Sequence, residues 1–154
     1  MKGEDMSKKY NLACNIAKTL DIIGDRWTLL IIRDLLEGKN KFNEIKESLK
    51  GIAPNILSDR LQSLEKEGII VSNLYSQHPP RFEYKLTKKG EDLRHVIHAL
   101  GIWGNKYLSP TYFELVHKQC GHQVQVQYFC PNCNATVKDI HYVKAATSNS
   151  NLSS

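Results

Sequence analysis

Cys130-Pro131-Asn132-Cys133 places two thiols three positions apart across a proline-led turn, the spacing at which two thiolates converge on one metal ion. Asn134 follows directly, and such a turn needs a left-handed residue after its second cysteine, a conformation that Asn adopts almost as well as Gly. Cys120, standing before Gly121, offers a third thiol in what reads as the matching turn. A closed tetrahedral site then requires a histidine. His117 makes an H-x2-C pair to set beside the C-x2-C pair and is the first choice, with His122 second and His141 third. The ion expected is one structural Zn2+ per chain, because a stretch of about 30 polar, strand-prone residues has too little apolar surface for a core of its own. A redox dithiol at Cys130 and Cys133 fits less well, since that chemistry wants the first cysteine at a helix N-terminus, with no third cysteine nearby. The fourth cysteine, Cys14, stands alone near Lys8, Lys9 and Lys18. Those charges would favour its thiolate, and the alternative reading is a small structural thiol.

A second set of polar side chains lies on residues 54–68. Pro54 suits a first helical turn, Leu57, Leu61 and Leu64 fall on one face, and Gly68 supplies a stop. With the leucines inward, Asn55, Asp59, Gln62 and Lys66 face outward, Ser58 and Ser63 flank them, and Arg60 lies nearer the core edge. That face is small and polar enough to enter a major groove, where amides and hydroxyls bond base edges. Next come Ile69-Ile70-Val71 and Phe82-Glu83-Tyr84-Lys85-Leu86, β-prone runs separated by a polar, proline-bearing loop. Gln77, His78 and Arg81 stand at or near the tip, stiffened by Pro79 and Pro80, where they can meet a phosphate backbone or a minor groove. Helix, stop and hairpin in that order read as a winged helix.

The elements that must hold these groups are legible upstream and downstream. Residues 25–36 read as a core helix with Trp27, Leu30, Ile31 and Leu35 on one stripe, Trp27 serving packing. Phe42, Ile45 and Leu49 mark a short second helix, and Gly51-Ile52-Ala53 turns into Pro54. After the hairpin, Thr87 is a candidate N-cap for a long helix bearing Leu93, Val96, Ile97, Leu100, Trp103 and Tyr107. One winged helix needs only part of that stripe for its own core, so the surplus points to association of two copies; otherwise the stripe closes the monomer core.

The formal net charge is +5, the isoelectric point is near 9.0, and 41% of residues are hydrophobic, as expected of a globular chain suited to phosphate contact. Lys39, Lys41, Lys46 and Lys50 surround the short helix, and Lys88 and Lys89 follow the hairpin. There is no Ser-His-Asp order in a suitable context, no glycine-rich phosphate loop and no paired carboxylates in an apolar setting, so no catalytic site is expected. No run is long and apolar enough to span a membrane, and with no signal peptide the expected location is the cytoplasm.

Together these residues resemble the HxlR family of bacterial winged helix-turn-helix regulators over residues 14–107. The resemblance is carried by Cys14, Gly24, Trp27-Thr28-Leu29-Leu30, Phe42-Asn43-Glu44-Ile45, Leu57 with Arg60-Leu61, Leu64-Glu65, Gly68, Pro80 with Glu83-Tyr84, Leu86-Thr87 and Gly90. Two positions depart from the family pattern: Asn15 follows Cys14 where a proline is usual, and Val71-Ser72 replaces a commonly basic position. The resemblance implies a homodimer, built through the N-terminal region and the long C-terminal helix, that binds an inverted-repeat duplex DNA operator and most often represses. It also places Cys14 where family members that respond to oxidants or electrophiles carry their sensing thiol. DNA-contacting residues are expected to be Asn55, Ser58, Asp59, Arg60 and Gln62 from the helix, with Lys41, His78 and Arg81 beside it. The fold class expected is mainly α with a small β-wing (α+β), a winged helix-turn-helix followed by a small β-rich zinc-knuckle module. Its organisation is a flexible arm over residues 1–12, the DNA-binding and dimerisation domain over 13–108, a ribbon-like extension over 109–144 and a disordered tail over 145–154. The alternative function is a metal-binding or thiol-based protein-interaction module that does not bind DNA specifically.

Overall fold

A computed structural model describes residues 9–146. Residues 1–8 of the expected arm, Lys8 among them, and residues 147–154 of the expected tail lie outside the described residues.

The first helix, α1 (Asn15–Ile23), buries only Ala17 and Ile23 and leaves Ile16 and Leu20 exposed one turn apart. The helix expected from Asp25 starts three residues later, as α2 (Thr28–Leu36). The Asp25 carboxylate accepts from the backbone N–H of Trp27 and Thr28 at 2.9 and 3.1 Å and from the Thr28 hydroxyl, so it satisfies the free donors at the helix start from outside. Thr28, Ile31, Ile32 and Leu35 form the inward row of α2, with Trp27 packed at its edge. Leu30, expected inward, is exposed, and Ile32 takes the buried place.

The short helix α3 (Phe42–Ser48) begins where Glu44 Oε2 accepts from the N–H groups of Asn40 and Lys41, each at 3.0 Å. Ile45, Leu49 and Ile52 then carry the chain across the core to α4 (Pro54–Lys66). Leu57, Leu61 and Leu64 are buried, as their spacing requires. Gly68, at φ +68°, makes the left-handed stop that releases the chain into β1 (Ile70–Gln77).

β1 pairs antiparallel with β2 (Pro80–Leu86), from Ile70 opposite Leu86 to Gln77 opposite Pro80. The strands run further than the two β-prone runs, so the expected loop shrinks to His78 and Pro79, with Gln77 and Arg81 inside the ladder. Asn73, Leu74 and Tyr75 hid this continuation, and a register shift between Leu74 and Ser76 accommodates Tyr75 as an extra residue. A third segment joins the hairpin at its base: Tyr84 N–H donates to the Asn40 carbonyl at 2.8 Å, and Asn40 Nδ2 donates to Glu83 Oε1 at 2.6 Å. The wing is thereby bolted to the start of α3.

The long helix expected after Thr87 is two helices, α5 (Lys88–Glu91) and α6 (Arg94–Tyr107). Thr87 Oγ1 caps the first by accepting from Gly90 N–H at 3.3 Å, and it donates to the carbonyls of Gly68 and Ile69 at 2.6 and 3.1 Å. Gly90 is buried so closely that a Cβ there would stand 2.2 Å from the Ile69 carbonyl oxygen. This anchorage holds α5 against the end of α4, and a tight turn at Asp92 and Leu93 re-aims α6. Leu93 and Ile97 pack on the core, whereas Val96, Leu100, Trp103 and Tyr107 are exposed, so the stripe does not close the monomer.

Beyond α6 lie two small hairpins. In the first, Val116 bridges Gln123 around a turn at Gly121. The second pairs β3 (Tyr128–Cys130) with β4 (Ala135–Val137). No residue of 109–146 is buried. The core instead joins α2, α3, α4 and the start of β1, with Ile31, Ile32, Ile45, Leu57, Leu64, Ile69 and Ile70 fully enclosed. The architecture is a mixed α/β winged-helix-like fold with two small sheets.

Candidate nucleic-acid interface

On α4 the leucine row faces the core, and Asn55, Asp59, Gln62 and Lys66 stand exposed on the other side, with Ser58 half-buried beside them. No side chain caps the helix start, since Ala53 occupies the N-cap and Pro54 the first turn. The free backbone N–H groups there carry the positive end of the helix dipole, a place where a phosphate oxygen is favoured.

Arg60 goes the other way. Its side chain is only 13% exposed, and Nη1 lies 3.7 Å from Asp25 Oδ2. The sequence placed Arg60 near the core edge and also offered it to DNA; the structure uses its guanidinium to tie α4 to the carboxylate that starts α2. Asp25 holds both elements, a link that only the folded chain brings together.

Around α4, Lys41 is exposed at the start of α3 with its ammonium 5.4 Å from the centre of the Tyr75 ring. Tyr75 belongs to the irregular point of the wing, so the contact relates a basic group to the hairpin at a distance the linear spacing does not reveal. His78 and Arg81 are exposed at the hairpin end. Lys46 and Lys50 are exposed and have no ion pair among the described residues. The remaining lysines of the expected basic set are engaged within the chain. Lys39 donates to Glu37 at 2.5 Å and approaches the fully buried Asp34 at 3.6 Å, Lys88 pairs with Asp92 at 3.0 Å, and Lys89 donates to the Glu67 carbonyl at 2.5 Å. The hydrogen bond to Glu37 raises the Lys39 pKa despite the opposing cost of desolvation. Ser72, at the commonly basic position, donates from its N–H and Oγ to Glu65 Oε1 at 3.0 and 2.6 Å. That position braces α4 against β1 instead of reaching outward.

Cys14 is exposed at the N-cap of α1, and its carbonyl accepts from Lys18 N–H at 3.0 Å. Ile16 and Leu20 on α1 and Leu100, Trp103 and Tyr107 on α6 add exposed apolar surface outside the winged helix.

The remaining cysteines occupy the two hairpins of the extension. His117 Nδ1 lies 3.2 Å from Cys120 Sγ, Gly121 N–H donates to the His117 carbonyl at 2.8 Å, and Gly121 has φ +70°. In the second hairpin the residue after Cys133, Asn134, has φ +49°. The backbone N–H and the thiol of Cys133, together with the Asn132 N–H, direct hydrogen bonds at Cys130 and lower its pKa. His122 and His141 are exposed. The four expected ligands thus form two pairs, and among the described residues no three of His, Cys, Asp or Glu gather into one metal-binding group.

The sequence model of the HxlR-like helix-turn-helix family matches residues 22–112. An uncharacterized HTH-type transcriptional regulator of Bacillus subtilis strain 168, YdeP, is 38% identical over 105 residues, covering 68% of this chain and 82% of that one. The crystal structure of PA1607, described as a candidate transcription factor, superposes with a TM-score of 0.74 at 32% identity and covers 88% of this chain and 97% of its own. The redox regulator HypR in its reduced form superposes with a TM-score of 0.58 at 31% identity, covering 62% of this chain and 95% of its own. The likeness to PA1607 takes in more than the residues up to the end of α6 can supply, so part of the extension belongs to the shared fold.

Proposed function

The chain belongs to the HxlR-like helix-turn-helix family and is a DNA-binding transcriptional regulator, and from that premise we propose that it works as a homodimeric repressor on an inverted-repeat operator. The observation that carries this reading is the two-sided character of α4: a leucine row locked into the core and an exposed polar row beside a wing that ends in His78 and Arg81. In the bound state Asn55, Ser58, Asp59 and Gln62 meet base edges in the major groove, while Lys41, His78 and Arg81 contact the phosphate backbone. Arg60 supports the groove-facing residues from behind through Asp25. Two-fold pairing through the exposed apolar faces of α1 and α6 sets the two copies of α4 about 34 Å apart, or a multiple of that, to match successive turns of one DNA face.

Repression is relieved in this reading by oxidation or alkylation of Cys14. Its exposure and its place at the start of α1, next to the proposed dimer face, support the assignment, as does the likeness to the redox regulator HypR. A disulfide between subunits or a mixed disulfide with a small thiol would alter the pairing that spaces the two recognition helices.

The test is a gel shift on the promoter beside the protein's own gene, with excess nonspecific DNA and reductant. Specific retardation is expected. If each dimer neutralises about six phosphates, affinity falls by about three powers of ten between 50 and 200 mM salt. Equal binding to promoter and random duplex would defeat the operator reading, and a single protomer in the retarded complex would defeat the dimer.

A further inference from the structure

The extension carries groups that the DNA-binding reading leaves unused: three thiols and an imidazole, set in two turns of matching design on a segment without a core. In both turns the residue after the second donor is left-handed, Gly121 at φ +70° and Asn134 at φ +49°. In both, the two donors already lie together. His117 Nδ1 is 3.2 Å from Cys120 Sγ, and Cys130 ends β3 opposite Ala135 with Cys133 in the tight turn between them.

We propose that His117, Cys120, Cys130 and Cys133 hold one zinc ion that clamps the two hairpins together. His117 binds through Nδ1, the nitrogen already turned towards Cys120. Three sulfurs and one imidazole nitrogen in a closed set suit the tetrahedral preference and borderline softness of Zn2+ better than they suit oxygen-seeking cations. Binding releases the three thiol protons to solvent, and no atom changes oxidation state.

Such a clamp would supply stability that the segment's own ladders lack. Each hairpin is held by a short ladder, β3 with β4 and the lone bridge of Val116 with Gln123, and isolated hairpins of this kind are marginal in water. Tyr112, Phe113 and Tyr142 are largely exposed, so no apolar cluster replaces the missing core. The pairs lie on separate hairpins, and among the described residues no three of the donors gather into one group, so binding has to draw the two hairpins together.

The full-length protein, purified with zinc and reductant and then dialysed, is assayed for metal by mass spectrometry. About one zinc per chain is expected, falling below about one tenth in Cys130→Ser and in His117→Gln, while His122→Gln and His141→Gln keep theirs. Because a serine variant can misfold, the unaltered protein is also reconstituted with Co2+, where thiolate-to-cobalt charge transfer and tetrahedral d–d bands are expected. Limited proteolysis with and without chelator should open the extension only when metal is removed. A metal-free protein lacking cobalt bands would overturn the site, as would a Cys130–Cys133 disulfide formed in its place. Retention of zinc in His117→Gln with loss in His122→Gln would overturn the ligand set, and equal cleavage with and without chelator would overturn the clamp.

Discussion

At the scale of single residues, the outcome turned on where side chains of the same charge were sent. Asn55 and Gln62 remain exposed on α4, so Asn55→Ala or Gln62→Ala is expected to change operator preference at one position and to cost about 1 to 3 kcal/mol on the cognate site. A loss of equal size on scrambled duplexes, measured by competition binding, would remove them from base readout. Arg81→Ala should weaken binding to all sequences alike and lower the slope of log affinity against log salt by about one. Arg60 and Asp25 behave differently because each holds the fold. Asp25→Ala deletes the acceptor for two backbone N–H groups and removes the ion pair with Arg60, an expected loss of about 1 to 3 kcal/mol in urea unfolding. An unaltered midpoint would show that α2 and α4 do not depend on that carboxylate. Cys14→Ser should keep DNA affinity and abolish release by diamide; release as in the unaltered protein would exonerate Cys14. The inward turn of Arg60 was half legible, since its place on the wheel lay near the core edge but its partner lay 35 positions away in sequence.

Among the elements, α4 followed its pattern closely because three leucines, a first-turn proline and a stop glycine all agree. The wing and the last helices followed theirs less closely. Leu74 and Tyr75 extend β1 with exposed side chains, so burial gives no period to read, and the ladder to β2 supplies the stabilisation instead. The division of α5 from α6 has a tertiary cause: Gly90 and Thr87 are anchored to Ile69 and Gly68, residues of the α4 to β1 junction. Gly90→Ala forces a methyl group against the Ile69 carbonyl and should destabilise by about 1 to 3 kcal/mol. Thermal unfolding of that variant checks the anchorage, and an unchanged transition would mean that α5 shifts freely.

In the whole molecule, the exposed apolar rows of α1 and α6 stand outside a core that is already complete without them. If these rows form the proposed dimer face, Leu100→Glu or Trp103→Arg is expected to give a folded monomer in sedimentation, with operator affinity reduced by about a hundredfold or more as the two half-sites lose their linkage. A dimer that survives either charge would move the interface elsewhere. No described helix is long and apolar enough to cross a membrane, which agrees with the absence of any such run in the sequence.

Local order was written in the chain itself: the helices with clear apolar periods, the glycine stops, the hairpin after α4 and the left-handed residue after Cys133 all depend on neighbours within a few positions. Long-range pairing was decided by the tertiary structure alone. Asp25 with Arg60, Asn40 with Glu83, Thr87 with Gly68 and Lys41 with Tyr75 join residues whose separation in sequence carries no period. A polar side chain near the edge of a helical face can turn out to solvent or inward to a partner, and only packing that brings the partner within reach decides between them.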